Sequence, residues 1–179
     1  VTVSAAASGE SNLSVIGAFA DKLPQDPKEN IVLDCLNLFN QVMTSQDKST
    51  QAVDIVLEKK MPVGSGLGSS ACSVVAALYG LNEFYHQPFS PMQLLKLMGE
   101  MEAKISGSLH YDNVAPCYLG GLQLMLPSED EIARTLPFFN DCYWVMAYPG
   151  IEVSTKMARE VLPESYSRKD LIKSAQNLA

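Results

Sequence analysis

The stretch Pro62-Val63-Gly64-Ser65-Gly66-Leu67-Gly68-Ser69-Ser70-Ala71 constrains this chain more than any other. It follows a strand-like alternation over Ala52–Glu58, with Val53, Ile55 and Leu57 on one side, and then Lys59 and Lys60. It precedes an apolar helical pattern over Cys72–Tyr85, in which Val74, Val75, Leu78, Leu81 and Phe84 recur. Three glycines alternate at 64, 66 and 68. Glycine permits positive φ and lets an oxyanion approach the backbone without a Cβ in the way. A helix start offers unpaired N–H groups and the positive end of its dipole. Ser65, Ser69 and Ser70 add hydroxyls. Strand, loop and helix together read as a cradle for phosphate. Rival readings fail on detail. No Lys follows Gly68, as a Walker A loop requires. Ser69 stands where a dinucleotide fingerprint wants Gly or Ala, and G-x-S-x-G is absent.

The 179 residues carry 13 Lys plus Arg against 20 Asp plus Glu, a net charge of −7. That balance, with no basic run, argues against a nucleic-acid partner, whose phosphates need Lys and Arg. An anion must be held by local features. Length allows one domain, or one and a fraction, at roughly 100–200 residues each. No apolar run nears the roughly 20 residues of a membrane span, and no charged-then-apolar leader opens the chain. Cys35, Cys72, Cys117 and Cys142 are widely spaced in apolar stretches, which reads as buried thiols in a reducing, cytoplasmic setting.

Elsewhere the pattern predicts a strand over Val1–Ala7 and loops around a short turn from Ser8 to Pro27. A helix follows, with Ile31, Val32, Leu33, Cys35, Leu36, Leu38, Phe39 and Val42 on one broad face. Ser90-Pro91 opens another that carries Leu94, Leu95, Leu97, Met98, Met101 and Ile105. The stretch from Ile105 to Pro116 is polar and turn-rich, and strands are expected at Tyr118–Leu126 and Cys142–Tyr148. Ser154 caps a helix to Leu162, and Asp170 starts a last one. Helices and strands mix without strict alternation, so the fold class is α+β.

The Gly/Ser loop, Gly99-Glu100-Met101-Glu102, Ser106–Pro116, Tyr148–Thr155 and Ala158-Arg159 occur in the order of the GHMP kinase motifs. The chain resembles that family, and its flanks are similar to the homoserine kinases within it. The resemblance implies a GHMP kinase N-terminal α+β domain at residues 1–148, lacking its first strand and motif. Residues 149–179 would begin a C-terminal domain, so the chain reads as a fragment, inactive alone. The implied reaction moves the γ-phosphoryl group of ATP, with Mg²⁺, to the hydroxyl of L-homoserine in threonine biosynthesis. Another GHMP kinase (mevalonate-type) and a non-catalytic nucleotide-binding module are the alternatives. The resemblance admits a homodimer and implies neither nucleic acid nor membrane.

By the same resemblance, Pro62, Gly64, Ser65, Gly66, Leu67, Gly68, Ser69, Ser70 and Ala71 wrap the phosphates of ATP. Ser70 and Glu102 match the Mg²⁺ ligands, a hydroxyl and a carboxylate that suit a hard cation. Asn30 matches a residue near the adenine, and Lys59 borders the nucleotide. Asn113 matches a substrate contact, and Asp112 is a candidate base. Thr155 and Arg159 reach over the site, where an Arg can hold a substrate carboxylate bidentately. Glu100, His86 and His110 read as surface or loop residues.

Overall fold

A computed structural model describes residues 1–24, 26–139, 141–148, 150, 161, 163 and 165–176. Strand β3 (Val53–Glu58) is the axis of the sheet, with β1 (Thr2–Ala5) antiparallel on one side and β2 (Asn12–Ile16) parallel on the other. Its alternation is clean: Val53, Ile55 and Leu57 are buried, and Asp54, Val56 and Glu58 lie on the more open face. Between β2 and β3 runs α1 (Ile31–Ser45), a crossover that parallel pairing requires.

Helix α2 (Ser69–Phe84) lies at the centre of the helical layer and packs against α1, α3 (Pro91–Ser106) and α4 (Val114–Leu119). The core is built from Val32, Leu36 and Phe39 of α1, Val74, Leu78 and Leu81 of α2, and Leu94, Met98 and Met101 of α3. Phe39 is wedged edge-on against Phe89, ring centroids 5.0 Å apart. The buried Asn82 closes the α2–α3 connection, its Oδ1 accepting from the Phe89 N–H at 3.1 Å.

The Ser90-Pro91 start signal holds. Ser90 Oγ accepts from the Gln93 N–H at 3.4 Å, and Gln93 Oε1 accepts from the Ser90 N–H at 2.9 Å, a reciprocal capping box. Ser90→Ala is expected to lower the unfolding free energy by about 1 kcal/mol, read as a lower urea midpoint at unchanged m-value. A midpoint equal to the wild type's would show that the cap contributes nothing.

Four expectations are corrected. Residues 8–27 are not all loop: Asn12–Ile16 is β2, with Leu13 and Val15 half-buried beside β3. Strand structure does not start at Tyr118. Helix α4 runs to Leu119, and β4 (Leu122–Met125) follows. Cys142–Tyr148 forms no strand; β4 instead pairs antiparallel with β5 (Ala133–Leu136), whose weak pattern gave no signal. The thiols are not uniformly buried, since Cys72 is half-buried and Cys117 and Cys142 are exposed. The expected last helix is present as α5 (Arg168–Gln176), with Ser167 Oγ accepting from the Asp170 N–H at 3.1 Å. The helix expected from Ser154 to Leu162 lies outside the described residues. Among those described, no helix is long and apolar enough to cross a membrane.

Candidate active site

All three alternating glycines adopt the left-handed conformation, with φ of +67° at Gly64, +75° at Gly66 and +71° at Gly68. Residues with a Cβ rarely adopt it, which is why the loop is written in glycine. Ser65 Oγ donates to the Pro62 carbonyl at 3.0 Å and closes the loop on itself. Gly68 occupies the N-cap of α2 and supplies no capping side chain. The first-turn amides of α2 therefore have no side-chain acceptor and are open to an anion. Pro62 is half-buried, Gly66 and Leu67 are exposed, and the Ser70 side chain is exposed beside the buried Ser69 and Ala71.

Two buried polar residues support this loop and its neighbour helix. Lys59 is only 4 % exposed. Its Nζ donates to the Ser69 carbonyl at 2.6 Å and to Ser73 Oγ at 2.7 Å, inside the first turn of α2. Burial holds this lysine below its ordinary pKa range. Its two hydrogen bonds hold the Nζ group beneath the junction of the glycine loop with α2. Asn30 is the N-cap of α1, its Oδ1 accepting from the Val32 N–H at 3.1 Å. Its buried Nδ2 has no hydrogen-bond partner among the described residues.

On α3, Glu102 is 3 % exposed, whereas Glu100 faces solvent as expected. Burial pushes the Glu102 carboxyl above the usual carboxylate range; His110 opposes that rise and Asp112 adds to it. His110 Nδ1 lies 2.6 Å from Asp112 Oδ1. The turn-rich loop at 107–113 is thereby tied to the Glu102 helix electrostatically. It is also tied by shape: Tyr111 covers Gly99, where an added Cβ would sit 2.2 Å from Tyr111 Cε1. At its end the loop meets the glycine loop, for a Cβ on Gly68 would lie 3.5 Å from Asn113 Oδ1. Sequence had separated the glycine loop, the carboxylate and the polar loop; the fold links the first two through the third.

Residues 30–121 match the family model described as the GHMP kinases N terminal domain. The chain belongs to the GHMP kinases. This family of kinases binds ATP. Among solved structures, the chain is similar to a homoserine kinase from Cytophaga hutchinsonii ATCC 33406 at 32 % identity and a TM-score of 0.77. The match covers 98 % of this chain and 55 % of that one. A D-glycero-D-manno-heptose 1-phosphate kinase from Bacteroides thetaiotaomicron shares the fold at 20 % identity and a TM-score of 0.57, covering 77 % of this chain and 47 % of that one. The chain therefore spans about half the length of these two kinases.

Among the expected site residues, the fold brings Gly68, Glu102, Asp112 and Asn113 into one neighbourhood. Thr155 and Arg159 lie outside the described residues. His110 had read as a loop residue. The only sequence sign of its closeness to the buried carboxylate was that it stands two positions before Asp112. Tyr111 on Gly99 went unread, because the contact joins a loop to a helix and no local pattern encodes it.

Proposed function

We propose that this chain is the nucleotide-binding part of a homoserine kinase, which transfers the γ-phosphoryl group of ATP to the side-chain hydroxyl of L-homoserine. The products are O-phospho-L-homoserine and ADP, a cytoplasmic step of threonine biosynthesis. The observation that carries this reading is the junction of an uncapped, glycine-led helix start with Asn113. An anion-binding backbone and a polar loop meet there, as a phosphoryl donor and a hydroxyl acceptor must. The likeness to a homoserine kinase over nearly the whole chain supports the acceptor.

In this reading the amides of residues 64–71 hold the phosphates while the left-handed glycines keep side chains out of the way. The Lys59 ammonium fixes the first turn of α2 from below. Asn30 offers its remaining amide donor toward the base of the nucleotide. Asn113, with Thr155 and Arg159, holds the amino-acid acceptor, Arg159 through the carboxylate. Asp112, 64 % exposed at its side chain, orients the acceptor hydroxyl and takes its proton as transfer proceeds. A loose phosphoryl-transfer transition state asks for positioning and charge neutralisation more than for a strong base.

The residues present fit Mg²⁺. No cluster of three or more His, Cys, Asp or Glu groups able to hold a metal occurs among the described residues. The Ser70 hydroxyl and Glu102 carboxylate are two hard oxygen donors. Mg²⁺ takes one or two carboxylates and completes its shell with water and phosphate oxygens. When bound, it neutralises charge on the transferred group.

Residues 1–148 are the nucleotide-binding domain in this reading, and residues 149–179 begin the next domain; a homodimer is compatible with it. ADP release by the parent protein with homoserine, mevalonate and galactose as acceptors tests the assignment. Homoserine-dependent release is expected, and its absence would overturn the choice of acceptor.

A further inference from the structure

We infer that Cys72 and Cys117 form a thiol modification site, a dithiol that a small disulfide oxidant closes into a reversible cross-link between α2 and α4 beside the nucleotide loop. The two sulfurs lie 3.6 Å apart, although their residues are 45 positions apart in the chain. Cys117 is exposed and Cys72 half-buried, so a small reagent meets Cys117 first. Forming a bond of about 2.05 Å asks the sulfurs to approach by roughly 1.5 Å.

The backbone of each cysteine is fastened to the site. The Cys72 N–H donates to the Gly68 carbonyl at 2.9 Å, and the Cys117 N–H donates to the Asn113 carbonyl at 3.3 Å. Gly68 and Asn113 are the two residues that meet where the phosphate loop touches the polar loop. The thiol pair is thus a second connection across the same junction, one helical turn behind it. Drawing the sulfurs together pulls on both halves of the site. In the reduced protein the Cys117 thiol is pushed up to about 12, chiefly by burial of its sulfur and then by its hydrogen bond to Cys72. Cys117 therefore reacts faster in alkali.

The chemistry is thiol–disulfide exchange. The Cys117 thiol gives its proton to solvent, and the thiolate attacks one sulfur of a small dialkyl disulfide. A mixed disulfide forms at Cys117, and one small thiolate leaves and is protonated. The Cys72 thiolate then attacks Cys117 Sγ, breaking the mixed disulfide and releasing the second small thiol. Two protein thiols are oxidised and one dialkyl disulfide is reduced to two thiols. A reducing thiol reverses both steps.

The test treats the full chain with 2-hydroxyethyl disulfide at pH 8.5, alkylates remaining thiols and digests the protein. A peptide linking Cys72 to Cys117, lost on treatment with dithiothreitol and absent from Cys117→Ser, is expected. Alkylation of both cysteines with no linked peptide would overturn the site. The coupling to nucleotide rests on the proposed phosphate role of the loop. Calorimetry is expected to give about tenfold weaker Mg·ATP binding in the linked protein, restored by reductant, with reduced Cys117→Ser binding like the wild type. Affinity within twofold after complete linkage would overturn the coupling. Failure of the reduced protein to bind Mg·ATP would instead sink the functional reading, and the linked peptide would still decide the thiol site.

Discussion

Glu102→Gln in the parent kinase is expected to lower turnover by about a thousandfold and to leave the fold as stable as before, or more so. The carboxylate is 3 % exposed, and burial is the largest influence on it, raising its pKa. The folded chain therefore holds the carboxyl proton more tightly than the unfolded chain does. Stability is full below the unfolded pKa, about 4.3 for glutamate, and declines as pH rises through the folded value. Glutamine keeps the shape and removes the charge, so the variant's unfolding free energy should be flatter over that pH window and no lower at neutral pH. The function loses what the stability does not. A bound metal supplies several kcal/mol of charge stabilisation in phosphoryl transfer, and a loss of about 4 kcal/mol is about three orders of magnitude in rate. Urea unfolding at several pH values and initial rates of ADP release measure the two sides. Turnover within threefold of the wild type would remove Glu102 from the metal site. A large fall in stability at neutral pH would show that the buried charge is compensated better than its raised pKa indicates.

Gly99→Ala should produce the second large effect, at a position with no chemistry of its own. The new methyl would stand 2.2 Å from Tyr111 Cε1 and 2.7 Å from its Cζ, inside any real contact. The helix gains about 1 kcal/mol from alanine's propensity. Overpacking costs about 1–3 kcal/mol, so a net loss near 1 kcal/mol is expected in urea unfolding. The greater consequence is displacement. The Tyr111 ring anchors the loop that carries Asp112 and Asn113, and a misplacement of about 1 Å can cost a hundredfold in rate. The acceptor KM should rise and kcat fall, with the KM for ATP changing much less. Adding Tyr111→Ala relieves the clash, so the double variant should be less destabilised than the sum of the single changes. Strict additivity, or unchanged acceptor kinetics in Gly99→Ala, would show that the ring does not hold the loop.

Much of the frame was legible because its signals are local. Alternation buried one face of β3, the Ser90-Pro91 pair opened α3, and the alternating glycines announced positive φ before α2. The misses have equally local causes. β2 is five residues between Gly9 and Gly17, and only Leu13 and Val15 carry its inward face. The stretch ending at Pro116 read as turn-rich ahead of a strand, yet Pro116 stands in the first turn of α4, where proline's missing N–H costs nothing. The apolar run at Cys142–Tyr148 had strand composition, but ladder partners are a tertiary matter; Tyr143 and Val145 are almost wholly exposed. In the site, residue types were readable and adjacency was not. Gly68 against Asn113, Gly99 under Tyr111 and Cys72 beside Cys117 are all meetings of segments distant in the chain.

Lys59 joins two structures that are usually discussed apart. Its backbone finishes the pairing with β2, donating to the Ile16 carbonyl at 2.7 Å and accepting from Phe19 at 3.2 Å. Gly17 lies so close that a Cβ there would be 2.6 Å from the Lys59 carbonyl oxygen. The side chain of the same residue fastens the first turn of α2. Because successive strand residues face opposite ways, a one-residue slip of β3 would turn that ammonium away from the helix. The glycine loop therefore inherits its accuracy from the sheet. An insertion in the turn after β2 would be felt ten residues beyond Lys59, at the start of α2, as a loss of aim.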